Sequence, residues 1–114
     1  MCSFSDIFYA DLPAITGSKV QHGIRPILVV SNNMNNKFSP VITVVPITSS
    51  ETKTKLPTHV QVCGYGLSKP SIILAEQIIS LDKSRLLEKV GSIEDEDLRK
   101  EIKSALMVQL NMVA

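Results

Sequence analysis

Up to about Leu81 the chain alternates short apolar runs with polar loops, and after that its period changes. In DIFYADL, Ile7 and Tyr9 would face one way, with Leu12 a candidate to join them and Asp6 and Asp11 at the edges, a strand pattern. PAITGSKVQHG follows as a loop punctuated by Pro13, Gly17, Ser18 and Gly23. IRPILVVSN predicts a strand from about Arg25 to Val30, and Pro26, lacking a ladder N–H, belongs at its beginning or on an open edge. NNMNNKFSP reads as a polar turn. VITVVPIT predicts a β-branched strand over Val41 to Ile47, buried on both sides or bulged at Pro46. Beyond the polar, positively weighted SSETKTKLP, THVQVC alternates His59 and Gln61 against Val60 and Val62. GYGLSKP then turns the chain and SIILAEQI supplies a further strand.

The C-terminal part has helical spacing. DKSRLLEKV predicts a short helix capped by Asp82, with Leu86 and Leu87 covering the core. GSIEDEDLRKEIKSALMVQL predicts a longer one. Ser92 is its natural N-cap with Asp95 three positions on, and Glu94 and Asp95 favour the first turn. Leu98, Ile102, Ala105, Leu106 and Gln109 mark one face. About five strands followed by a helical end, with gaps too short for crossover helices, imply a mainly β fold with a C-terminal helix. A small twisted barrel-like sheet, closed or flanked by helix, accounts for this better than βαβ units.

Composition narrows the class without naming a function. A length of 114 residues fits one domain over residues 1–114. Apolar residues at 44% and charged residues at 20% are those of an ordinary globular protein. With 12 Lys+Arg against 11 Asp+Glu, a heavily basic nucleic-acid coat is excluded but a local basic site is not. Cys2 and Cys63 form neither a disulfide framework nor a zinc quartet, which suits a reducing compartment. MCSFSDIFYADLP has no basic n-region or apolar core, and no apolar run approaches the roughly 20 residues a bilayer requires. The expectation is a cytoplasmic protein without membrane contact. No dinucleotide fingerprint or phosphate-binding glycine loop occurs, and His22 and His59 lie on different elements without a third ligand. No metal or cofactor is therefore expected.

The candidate chemistry lies in two polar loops. Ser18, Lys19, Gln21, His22 and Arg25 belong to one; Thr48, Ser49, Ser50, Lys53 and Lys55 belong to the other. Such loops can line one rim of a sheet while the strands stay packed. Arginine offers a fixed fork of donors to a phosphate, including one gaining charge in a transition state. Thr48 can position a phosphoryl oxygen or simply cap a strand.

DIFYADLP, the G-S and Q-x-G-x-R-P-I-L-V-V-S-N signals, SPVITVVPITS, KLPTHV and SIILAEQI with LDKSRL occur in one order. Together they resemble the MazF/PemK family of toxin–antitoxin endoribonucleases from about Asp6 to Leu110. The resemblance implies an SH3-like small β-barrel of the MazF/PemK/CcdB toxin type, acting as a homodimer without metal. It implies ribosome-independent cleavage of single-stranded RNA, including mRNA, at a short sequence, leaving 2′,3′-cyclic phosphate and 5′-hydroxyl ends. A cognate antitoxin would cover the groove. Arg25 of Arg25–Pro26 matches the family's catalytic arginine, and Thr48 of VVPITS its catalytic threonine.

Such chemistry needs the ribose 2′-hydroxyl to attack the adjacent phosphorus, which DNA cannot do. Arginine is a poor general base, so Arg25 is assigned electrostatics first. Histidine is a residue type suited to acid–base work, which makes His22 a candidate acid or base, and an exposed loop histidine is the alternative. Matching family loops imply base contacts from Ser18, Gln21, Ser31, Asn32, Ser49, Leu56, Pro57 and Gln77. Lys19, Lys53 and Lys55 would steer the backbone or form a solvated face. With only Phe4, Phe8, Tyr9, Phe38 and Tyr65 available, hydrogen-bonded pockets are favoured over a stacking platform.

Two departures from the family pattern touch recognition. GSKVQHGIRP is one residue longer than GSEQxGxRP, with Lys19 at the acidic position, and Ile79 stands where many relatives carry arginine. A toxin-like barrel that binds a protein target such as a topoisomerase, and a domain whose groove only binds an antitoxin peptide, are the rival classes. The apolar C-terminal Leu106, Met107, Val108, Leu110, Met112 and Val113 belong either to the core or under a symmetric partner.

Overall fold

A computed structural model describes residues 1–49 and 55–112; Ser50, Lys53 and Val113 lie outside the described residues. The elements are β1 (Asp6–Leu12), β2 (Gly23–Val29), α1 (Asn33–Phe38), β3 (Val41–Thr48), β4 (His59–Val62), β5 (Ser71–Leu74), β6 (Ile79–Asp82), β7 (Leu86–Ser92) and α2 (Glu96–Gln109). The strands form one seven-stranded sheet in the order β4-β5-β3-β2-β1-β7, with β6 also paired to β3.

This sheet is not closed, which corrects the expected SH3-like barrel. The outermost strands β4 and β7 do not pair with each other among the described residues. The physical reason lies in α2. Its Ile102 and Ala105 belong to one buried cluster with Ile7 of β1, Val60 and Val62 of β4, and Ile93. A helix thus covers apolar surface that barrel closure would otherwise bury. A second cluster on the other face joins Ile27, Val29, Ile42 and Val44 to Ala10, Leu12 and Leu81. Strand β3 feeds both clusters, as its near-continuous apolar run implies.

The prolines mark where ladders stop. Pro26 stands one residue before the β2–β3 ladder, which begins at Ile27 opposite Pro46. Along its other edge β3 pairs with β6 over Val41–Val44 and with β5 at Ile47 and Thr48. Pro46 falls in the gap between those two partners, so its missing N–H breaks no ladder there, and no bulge forms. SIILAEQI correspondingly supplies a strand only over Ser71–Leu74, and the next strand begins beyond it at Ile79.

Three local expectations are corrected. The asparagine-rich turn contains α1, because the Asn32 side chain caps it by accepting the Asn35 N–H at 2.8 Å. DKSRLLEKV yields only a three-residue 3-10 turn, Lys83–Arg85, which Asp82 does cap, followed by β7. Pairing of β7 with β1, from Asp6 opposite Ser92 to Ala10 opposite Leu86, overrides helical spacing, and Leu87 is left 49% exposed. Finally, Asp95 rather than Ser92 caps α2, accepting the Asp97 and Leu98 N–H groups at 2.9 and 3.0 Å. Ser92 ends β7 and donates its hydroxyl to Asp6. On α2, Ile102 and Ala105 are buried, Leu98 and Leu106 pack partly buried against the core, and Gln109 is exposed.

Candidate active site

Arg25 and Thr48 both lie just past the end of the ladder that joins β2 to β3. The β2–β3 ladder pairs Val29 with Val44, Leu28 with Val45 and Ile27 with Pro46. Two residues further in the same antiparallel count stand Arg25 and Thr48, on the face of each strand that also carries Ile27 and Val44. Arg25 is half-buried, and its Nε donates to the main-chain oxygen of His22 at 2.8 Å. Gly23, with φ of 79°, supplies the left-handed turn between them. One edge of the guanidinium is thereby fixed. Thr48 is buried, is not without a partner, and pairs on its other side with Ile72 of β5.

A pocket of about 200 Å³ opens beside Arg25, and its polar lining comes from Tyr9, Arg25, Ser49, Ser68, Lys69 and Ser71. Among the described residues two cations and several hydroxyls line it, and no carboxylate does. That is the chemistry of an anion site, because a bound anion would be attracted by both cations and accept from the hydroxyls. Tyr9, Ser68, Lys69 and Ser71 were not singled out in the sequence. The available signal was GYG, where Gly64, Tyr65 and Gly66 all take positive φ and fold the following Leu-Ser-Lys back over the sheet.

The other predicted residues divide into groups. The Ser18 Oγ accepts the Val20 N–H at 3.2 Å, Lys19 is exposed, and the Gln21 N–H donates to Gln77 Oε1 at 2.9 Å. His22 is exposed with Nδ1 3.5 Å from the Val20 oxygen; its main chain, not its ring, touches Arg25. Lys55 and Leu56 line a second pocket of about 200 Å³ with His59, Gln61, Ile72 and Glu101, while Pro57 is exposed. Ser71 lines the first pocket and Ile72 the second, so Thr48, opposite Ile72, stands between them.

Ser31 and Asn32 are not among the residues lining either pocket. The Ser31 hydroxyl donates to Asn36 and accepts the Thr43 N–H at 3.1 Å, while Asn32 caps α1. They border an apolar groove with Val30, Ile78, Leu106 and Leu110. Beside it a cavity of about 500 Å³ is lined by Phe4, Val30, Leu106, Met107, Leu110 and Met112. Of the apolar C-terminal residues, Leu106 packs partly against the core, whereas Met107, Val108, Leu110 and Met112 are exposed.

Among the described residues, Glu76 is the one carboxylate with a dense polar shell next to these loops. Its Oε2 accepts from His59 Nε2 at 2.9 Å and its Oε1 from the Thr58 hydroxyl at 3.0 Å. Burial pushes its pKa upward, but hydrogen bonds from His59, from its own backbone N–H and from Thr58 outweigh burial and hold it below the ordinary 4.5. His59 Nδ1 accepts the Leu56 N–H at 3.3 Å, which places the ring proton on Nε2, facing Glu76. Among the described residues no three His, Cys, Asp or Glu side chains gather as a metal cluster, and no helix is long and apolar enough to cross a membrane.

Comparison with known proteins places this arrangement. The pattern of PemK-like, MazF-like toxins of type II toxin–antitoxin systems matches residues 4–110. The endoribonuclease EndoA of Bacillus subtilis is 42% identical over 110 residues, covering 95% of this chain and 93% of its own length. The endoribonuclease MazF of Staphylococcus saprophyticus is 42% identical over 109 residues, covering 94% and 89%. Among solved structures, MazF of Deinococcus radiodurans superposes with a TM-score of 0.81 at 25% identity, covering 97% of each chain. A mycobacterial endoribonuclease in complex with its cognate antitoxin shares the fold with a TM-score of 0.81 at 23% identity, over 100% and 99% of the two chains. The chain belongs to the PemK-like, MazF-like family of toxins of type II toxin–antitoxin systems.

Proposed function

We propose that this chain is a sequence-specific, metal-independent endoribonuclease, one cytoplasmic toxin domain over residues 1–114 of a type II toxin–antitoxin pair. What supports the reading is that Arg25 and Thr48 both stand just past the end of the β2–β3 ladder, with Arg25 on a pocket that no described carboxylate lines, in a chain 42% identical to endoribonucleases. In the reaction the 2′-hydroxyl attacks the adjacent phosphorus and the bond from phosphorus to the 5′-oxygen breaks. The 2′-proton is lost and the departing 5′-oxygen gains one, leaving a 2′,3′-cyclic phosphate and a 5′-hydroxyl. Charge grows on the non-bridging oxygens. Arg25, with Nε anchored to His22, presents its terminal N–H groups to them without having to reorganise. Thr48 hydrogen-bonds the same phosphate, and Lys69 and the hydroxyls of Ser49, Ser68 and Ser71 attend it or its neighbour.

Single-stranded bases would be read by the loops holding Ser18, Gln21, Gln77, Leu56 and Pro57, with Lys19, Lys53 and Lys55 drawing in the backbone. Ser31 and Asn32 would instead serve the interface between two copies, where the exposed Leu110 and Met112 are covered in a homodimer. A cognate antitoxin protein would occlude the RNA path. The test is incubation of the purified protein in EDTA with an unstructured RNA and with its DNA counterpart. The reading expects cuts in the RNA alone, at one short sequence, with cyclic-phosphate ends. An intact RNA overturns it.

A further inference from the structure

Glu76 and Gln77 lie side by side between β5 and β6, and each fastens a different loop. Gln77 Oε1 takes the Gln21 N–H at 2.9 Å from the loop before β2. Glu76 takes the Thr58 hydroxyl at 3.0 Å and His59 Nε2 at 2.9 Å, and His59 Nδ1 takes the Leu56 N–H at 3.3 Å. Main-chain bonds reinforce the second clamp, from Ala75 N to the Thr58 oxygen at 3.0 Å and from His59 N to the Leu56 oxygen at 2.9 Å. The loop that delivers Arg25 and the Leu56–Thr58 segment before β4 are therefore held by one two-residue turn.

The His59 side chain is only 5% exposed and that of Glu76 23%, so most of their polar capacity is spent on each other and on the loop. A purely structural role would be to hold β4 in the sheet. That task is already met by its ladder with β5, from His59 opposite Leu74 to Val62 opposite Ser71. What the side-chain bonds add is the orientation of Lys55–Pro57, the segment before β4. We infer that Glu76, acting through His59 and Thr58, is a positioning residue that keeps the Leu56 segment in register with the Gln21 loop and thereby sets which bases are accepted. The inference rests on the endoribonuclease reading above.

The test measures cleavage by the full chain of a short RNA carrying the wild-type site, beside RNAs with single-base changes in that site. Glu76→Ala leaves the His59 N–H and the Thr58 hydroxyl without their acceptor. Its KM should rise at least about tenfold and its discrimination between sites fall, with kcat within about threefold. Glu76→Gln offers its carbonyl to His59 and its amide to Thr58, and should restore both values to within about threefold of wild type. Thr58→Val removes one bond only and should give an intermediate loss; with Glu76→Gln it carries the test if Glu76→Ala does not fold. Unchanged KM and discrimination in Glu76→Ala and Thr58→Val, a loss confined to kcat, or a folded Glu76→Gln as impaired as Glu76→Ala each overturn the inference while wild-type cleavage still stands. RNA left uncut by wild type overturns the nuclease reading and this inference together.

Discussion

Gly91 of β7 lies where two backbones pass in contact. A Cβ placed on it would fall 2.1 Å from the Tyr65 carbonyl oxygen and 2.9 Å from that carbonyl carbon. The approach is reciprocal, since a Cβ on Gly66 would fall 2.1 Å from the Val90 oxygen. Gly66 also has φ of 89°, which penalises any side chain, whereas no left-handed φ is recorded for Gly91, so Gly91→Ala isolates the steric effect. Moving the Tyr65 oxygen from 2.1 Å to an ordinary contact near 3.4 Å displaces the turn or β7 by more than an ångström. A backbone shift of that kind costs about 1–3 kcal/mol, which a domain holding about 5–15 kcal/mol survives. Each kcal/mol lowers the melting temperature of a chain this size by about 4–8 °C. The same turn leads into Leu67, Ser68 and Lys69 on the wall of the Arg25 pocket, and ångström misplacement near a reacting group can cost up to about 100-fold in rate. Thermal unfolding followed by circular dichroism at one fixed protein concentration, with cleavage of a short RNA measured alongside, reads both effects. A melting temperature within about 1 °C of wild type would refute the reasoning, because a contact of 2.1 Å cannot be relieved without cost.

Lys69→Gln should weaken RNA binding at low salt and reduce the slope of log affinity against log salt by about one, as loss of a single phosphate contact requires; an unchanged slope removes Lys69 from the RNA path. Glu76 is held below 4.5 in the folded chain, so its stabilising contribution is complete above that value and disappears as pH falls through the depressed pKa. Urea midpoints should accordingly show wild type more stable than Glu76→Gln at neutral pH, with the difference closing below pH 4.5; a difference independent of pH contradicts this. Asp95→Ala should cost about 0.5–2 kcal/mol in the same assay by removing the cap of α2. Equal stability of Asp95→Ala and wild type would show that the cap adds nothing.

Period and turn chemistry made much of the fold legible. DIFYADL is β1 over the same residues, and the alternation of THVQVC matches β4, where Val60 and Val62 are buried and Gln61 is exposed. Barrel closure was not legible, because a sheet and the helix that covers its apolar face require the same residue pattern. The stretch DKSRLLEKV has the leucine spacing of a helix, but pairing with β1 decides its state, and a nonlocal pairing leaves no local mark. Ser92 and Asp95 are both good capping residues, and only the length of β7 selects between them.

The candidate site divides the same way. Arg25 and Thr48 stand next to the prolines that end the β2–β3 ladder, so sequence motifs carried them. Lys69 lies more than forty residues from Arg25, on a loop returned by positive-φ turns, and GYG marks the turn without marking what it carries Lys69 towards. Ser31 and Asn32 show the converse, since their polarity is spent on α1 and Thr43 rather than on the Arg25 pocket.

The central claim is that Arg25 and Thr48 act on the scissile phosphate. Its most direct test is the single-turnover cleavage rate of wild type, Arg25→Ala and Thr48→Ala on one RNA in EDTA. Alongside it goes the affinity of each for the same RNA made uncleavable by a single 2′-deoxy nucleotide at the cut. We predict rates lower by about 100- to 1,000-fold in both variants, with affinity changed only a few-fold, as for loss of groups that act in the transition state. Either variant cutting at the wild-type rate, or losing rate only in proportion to affinity, would contradict the account.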